Sequence, residues 1–144
     1  MTESEQRAAL VMAAHNWLNT PYHHKARIKG AGVDCAQLLI GVYAEASLID
    51  AFDTGDYPPD WMLHREEERF LAWVDQYLVE VETPLPGDVA IWRFGRSFSH
   101  GAIVVDWPLF IHAYRVAGCV CLGSAGQDID LARRAVRFYS FFRG

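Results

Sequence analysis

At 144 residues, 51% of them hydrophobic and 22% charged, the chain has the composition of an ordinary globular domain, long enough to bury a core without disulfide staples. Its formal net charge of −5 excludes the basic surface that general nucleic-acid binding requires, so no nucleic-acid partner is expected. Three cysteines do not complete a disulfide framework, no apolar run approaches a membrane span, and residues 1–7 are too polar and acidic for a signal peptide or lipoprotein leader.

Taken in order, Thr2-Glu-Ser-Glu5 predicts a capping box, followed by positions Ala8, Val11, Ala14 or His15, and Leu18 at helical spacing. Asn19-Thr20-Pro21 ends that helix, and residues 22–33 form a loop rich in His, Lys and Arg. Gly30 and Gly32 allow a sharp turn, and Asp34 is a good N-cap for a second, apolar helix running to about Leu48. Residues 50–60 are dense in turn formers and read as an irregular connection. Residues 64–78 fit a surface helix with Phe70, Trp73 or Val74, and Tyr77 on one side and Arg65, Glu66, Glu67 and Arg69 outward. Beyond Thr83 the pattern changes to short β-rich runs at 89–94, 100–105, 109–114, 116–122 and 135–142, separated by turn signals. Helices first and an antiparallel sheet second make an α+β fold, here as one domain over residues 1–144.

The chemistry centres on Cys35, which opens the second helix. Unpaired N–H groups and the positive helix end there favour a thiolate, the form that attacks a carbonyl carbon. Such a nucleophile needs a base, and the base needs a third group to orient it. Of six histidines, His100 and His112 lie in the β half, and if their strands are neighbours the two imidazoles face the same side. His15 reads as a partly buried helix residue and His64 as a surface one, whereas His23 and His24 stand close before the cysteine. Cys119 and Cys121 point the same way if on a strand and read as small apolar side chains. A zinc site from Cys35, His100, His112 and one of Cys119 or Cys121 is a competing reading, weakened by the lack of close ligand pairs.

Tyr22, Val33-Asp34-Cys35, Pro86-Gly87-Asp88, Ser99-His100-Gly-Ala-Ile-Val-Val-Asp106 and Ile111-His112-Ala113, in this order, resemble the NlpC/P60 cysteine peptidases, papain-like cell-wall hydrolases. The resemblance runs from about Leu18 to the C-terminus, and the stretch from Thr20 to Cys35 is most similar to the compact members encoded with phage-tail and gene-transfer-agent genes. It implies a papain-like fold with N-terminal helices packed on the sheet, Cys35 as nucleophile, His100 as general base and then acid, and His112 as the group that orients His100. Tyr22 is implied to stand near the sulfur and help bind the oxyanion, with Asp34, Ser99, His24 and Lys25 as substrate-binding candidates. Lys25, Arg27 and Lys29 offer charge-assisted partners to stem carboxylates, and Pro86-Gly87-Asp88 is implied to be a structural turn.

The implied reaction is hydrolysis of amide bonds in murein stem peptides, with no metal and no cofactor. A protein made in the cytoplasm and acting at the cell wall, within a virion or tail-like particle and beside its structural proteins, is the matching expectation. A catalytically inactive tail protein on the same fold is the alternative, against which the joint presence of Tyr22, Cys35, His100 and His112 argues. The chain departs from the family in Ala36-Gln37, where a small Ser and Gly usually follow the cysteine, and Gln37 is the change expected to bear on specificity.

Overall fold

The computed structural model describes residues 1–55 and 69–142. Helix α1 (Glu3–Asn16) opens with the expected capping box: Thr2 accepts from the Glu5 N–H, and Glu5 reaches back to the Thr2 N–H. A two-residue hairpin follows, β1 (Arg27–Ile28) on β2 (Gly32–Val33), inside the segment read as loop. Its strands are too short to show a period of two, which is why pattern alone passes over them. Helix α2 (Cys35–Glu45) is buried over its first nine residues.

Of the surface helix expected at 64–78, α3 (Arg69–Tyr77) is described, and His64, Arg65, Glu66 and Glu67 lie outside the described residues. The β half holds β3 (Val79–Val81), β4 (Val89–Phe94), β5 (Ser97–Asp106), β6 (Leu109–Tyr114), β7 (Cys119–Ser124) and β8 (Val136–Ser140), with a one-turn helix α4 (Ile129–Ala132) before the last strand. They form one antiparallel sheet in the order β3-β8-β4-β5-β6-β7, so the two histidine-bearing strands are neighbours. Among the described residues no helix is long and apolar enough to cross a membrane.

Alternation along the strands separates two cores. Val89, Ile91, Ile103, Ile111 and Ala113 face the helices, packing with Leu10, Ala14, Leu38, Val42, Phe70 and Val74. On the other face Ala90, Trp92, Ala102, Val104 and Phe110 pack under Leu131 of α4. Gly101 is small for a reason: a Cβ there would stand 2.6 Å from Phe70 and 2.8 Å from Leu39, so its absence lets α2 and α3 approach β5.

The turn at 86–88 ties the two halves together. Arg7 of α1 donates to Asp88 Oδ1 at 2.8 Å and to the Pro86 carbonyl at 2.9 Å, Asp88 Oδ2 accepts the Leu85 N–H, and the Tyr43 hydroxyl donates to the Gly87 carbonyl. Asp88 is fully buried, so removing it leaves the Arg7 guanidinium without its buried counter-charge. Asp88→Ala is therefore expected to cost about 3–5 kcal/mol in chemical denaturation. Glu3→Ala removes the exposed partner of the same arginine and costs less than about 1 kcal/mol. Equal losses in the two variants would show that burial is not what gives the pair its weight.

Candidate active site

Three segments meet at the N-terminus of α2. Asp34 caps the helix, accepting from the Gln37 N–H at 2.9 Å through Oδ1 and from the Lys25 N–H at 2.7 Å through Oδ2. Both carboxylate oxygens thus serve backbone N–H groups and the residue is 2% exposed, which makes Asp34 an anchor for the 22–34 segment. The Cys35 thiol, in a residue 7% exposed, donates to the Ser99 carbonyl at 3.5 Å.

The register of β5 explains why a free carbonyl is available. Trp92 pairs with His100 and Arg93 with Phe98, so Ser99 is the extra residue of a β-bulge. Residues 99–101 also lie beyond the β5–β6 ladder, which runs from Ile103 to Asp106. Without the bulge His100 would share the face of Phe98, which belongs to the helix-side core. With it His100 turns to the side of Trp92 and meets His112.

The imidazoles are hydrogen-bonded, His100 Nε2 to His112 Nδ1 at 2.9 Å. Around them stand Trp92, Phe94 and Tyr114, whose rings lie 5.8, 5.4 and 5.8 Å from His100, and Phe110, edge-on to His112 at 4.8 Å. These aromatics escaped the sequence reading. Tyr114, two residues after His112 on the same strand, is the one that a period of two would have flagged.

Burial governs the protonation states. It drives His100 well below the ordinary histidine value, with the charges of His112 and Arg134 adding to it, and takes His112 down to about 4 against a small opposing pull from Asp128. The Cys35 thiol is pushed up to about 12 by burial and then by the Asp34 carboxylate. The N–H groups of Gly101 on β5 and of Ala36 and Cys35 at the helix start pull the other way, but they are outweighed. The resting site thus holds a protonated thiol and neutral imidazoles, where the helix position alone suggested a thiolate. Among the described residues the thiol makes no hydrogen bond to His100, whose Nδ1 is the ring nitrogen not engaged by His112.

Tyr22 is held by its N–H to the Gly118 carbonyl and by a bridge to Val33, and its hydroxyl pKa is raised by burial and then by the nearby Cys35 and Asp34. The Ser99 hydroxyl points back to the Ser97 carbonyl at 3.4 Å, so it is the Ser99 main chain that meets the sulfur. His24 lies half-buried with Nδ1 3.9 Å from Asp34. In the basic loop, Arg27 donates to the Phe52 carbonyl and Lys29 is paired with Glu45, so these two cations are already occupied. Gln37 is 4% exposed and donates to Thr54 Oγ1, fastening residues 50–55 to α2 instead of meeting a cleft. Among the described residues no three His, Cys, Asp or Glu side chains gather as metal ligands, so the set Cys35, His100, His112 with Cys119 or Cys121 is not assembled.

No protein-family model matches the sequence, and no curated protein sequence matches it significantly. Solved structures do match. The NlpC/p60 domain of the peptidoglycan hydrolase SagA is 21% identical, aligned over 91% of this chain and 96% of that one with a TM-score of 0.62. NlpC1 from Trichomonas vaginalis is 16% identical over 96% of this chain, with a TM-score of 0.69, and this chain spans 44% of its length. The peptidoglycan hydrolase RipB from Mycobacterium tuberculosis is 15% identical over 100% of this chain and 70% of that one, with a TM-score of 0.64. Helices α1, α2 and α3 on one face of a six-stranded antiparallel sheet are thus the NlpC/P60 fold, and that is the fold of this chain.

Proposed function

We propose that the protein is a cysteine peptidase that hydrolyses amide bonds in murein stem peptides, between γ-D-glutamyl and a diamino acid, with Cys35 as nucleophile, His100 as base and His112 as orienting group. The observations that support this reading are the 2.9 Å imidazole pair and a thiol that rests on the main chain of Ser99, the residue preceding His100. SagA and RipB, both described as peptidoglycan hydrolases, supply the substrate class. The resemblance to compact phage-tail and gene-transfer-agent members adds the delivery route, a particle that carries the hydrolase to the wall.

The hydrogen bond between the rings sets the tautomers. For Nδ1 of His100 to accept a proton, Nε2 carries the hydrogen and donates it to a bare Nδ1 on His112. As sulfur attacks the carbonyl carbon, the thiol proton moves to His100 Nδ1, the S–C bond forms and the C=O pair moves onto oxygen. The oxyanion is met by the Cys35 N–H and the Tyr22 hydroxyl. Collapse breaks the C–N bond, the amine leaves with the proton from His100, and water, deprotonated by His100, releases the acid and regenerates the thiol. Starting from neutral groups avoids holding a buried ion pair while the site is empty, and His100 need accept its proton only as the bond to substrate forms.

Release of peptides from purified murein fragments, read by mass spectrometry, tests the assignment. Cys35→Ala is expected to abolish it, and release unchanged in that variant would end the proposal. Tyr22→Phe is expected to lower kcat by about 10²-fold if the hydroxyl contributes to the oxyanion site. The pH dependence follows from His100: its folded pKa is lowered, so the base stays neutral as pH falls through about 6.5, and activity persists into mildly acidic solution. The same burial makes stability fully present above about 6.5 and progressively lost as pH falls toward about 4, the folded value of His112. An acid limb of kcat/KM at or above the ordinary histidine value would contradict the buried base.

A further inference from the structure

We propose that Tyr114, held by the turn at residues 128–134, is a positioning residue whose ring keeps His112 in the orientation from which it fixes His100. The proposal rests on the roles assigned above to Cys35, His100 and His112, and it adds a support that lies outside the motifs naming them.

The support forms a closed circuit. Tyr114 stacks on His112 with ring centres 4.7 Å apart and planes 15° from parallel. Its hydroxyl donates to Asp130 Oδ2 at 3.1 Å, and Asp130 Oδ1 accepts from Arg134 Nη2 at 3.0 Å and Nε at 3.3 Å. Arg134 then donates through Nη1 to the Arg93 carbonyl at 3.2 Å and lays its guanidinium 3.7 Å above the Phe94 ring. Phe94 in turn lies 5.4 Å from His100, which is bonded to His112. The turn is no loose flap: Leu131 is 1% exposed in the far-side core, and Asp128 caps α4 by accepting the Leu131 N–H.

An imidazole rotates about its Cβ–Cγ bond over a broad, roughly two-fold profile, so orientation has to come from neighbours. His112 has Phe110 edge-on at one side and the Tyr114 face on the other. Gly123 on β7 bears no Cβ, which would stand 3.2 Å from His112 Nε2. The titratable and charged groups facing the pair are Cys121, opposite His112 on β7, and Asp128, Asp130 and Arg134 from the turn.

The test uses the full chain with ¹⁵N-labelled histidine, following ring signals by NMR across pH alongside kcat and KM on murein peptides. Tyr114→Ala admits water to His112 and is expected to raise its titration midpoint by at least about one unit. In the same variant kcat is expected to fall by about tenfold or more while KM stays within about threefold. Tyr114→Phe keeps the stack and is expected to recover most of both, and Asp130→Ala, which frees the tyrosine hydroxyl and Arg134, shifts both in the same direction by less. Should the alanine variant fail to fold, Tyr114→Leu replaces it. An unmoved midpoint and an unchanged kcat in the alanine or leucine variant would overturn the proposal, as would a phenylalanine variant as damaged as the alanine one. A wild type without hydrolysis, compared with Cys35→Ala as the zero, sinks the peptidase reading, while the titration still decides whether Tyr114 holds the ring.

Discussion

A hydrogen bond between two buried imidazoles holds only while one of the facing nitrogens is bare, so at least one ring must stay uncharged, and each other feature of this site serves that condition. The bond between His100 and His112 lies where burial disfavours the imidazolium of both rings, and among the described residues no carboxylate hydrogen-bonds to either one, Asp128 acting on His112 only through its charge. A carboxylate in contact would favour the charged form and change the pair into something else. Aromatic rings from three strands exclude water around it, supplied by Trp92 and Phe94 of β4, Phe110 and Tyr114 of β6, and His100 itself on β5.

The same exclusion of water acts on the Cys35 thiol. A helix start favours a thiolate by about 0.3–1 kcal/mol, less than one pKa unit. Burial beside Asp34 acts in the opposite sense and wins, leaving the sulfur protonated. Asp34 cannot be spared, because its two oxygens shape both the helix start and the segment that brings Tyr22 to the sulfur. The arrangement fits a site in which proton transfer accompanies attack better than one that stores a ready ion pair.

Stability and chemistry are held by different parts of the chain. The Arg7–Asp88 pair, the Tyr43 hydroxyl on Gly87 and the helix-side core join α1, α2 and the start of β4 without touching the imidazoles. The histidines pack against Trp92 and Phe110 of the far-side core, which Leu131 caps. Apart from Cys35, which lies in the helix-side core, and Tyr22, packed against it, substitutions in the first group are therefore expected to act through folding, and those in the second through the electrostatics of the site.

Much was legible from one dimension: the capping box at Thr2, the cap at Asp34 and the strands at 89–94 and 109–114, because each depends on neighbours close in the chain. The β1–β2 hairpin, β3 and α4 were not, since elements of two to four residues carry too little periodicity to rise above the surrounding pattern. Likewise the partners of Asp34, Arg27, Lys29 and Gln37, namely the Lys25 N–H, the Phe52 carbonyl, Glu45 and Thr54, could not be read from the sequence, each being fixed by how the segments pack. By itself the sequence determined which residue types are present and in what order, a cysteine opening an apolar helix and two histidines on consecutive strands. Only the tertiary structure decided that Ser99 bulges, so that His100 turns to the face of His112, and that the sulfur sits dry enough to keep its proton. Register and burial are sums over distant contacts, and no local pattern contains them.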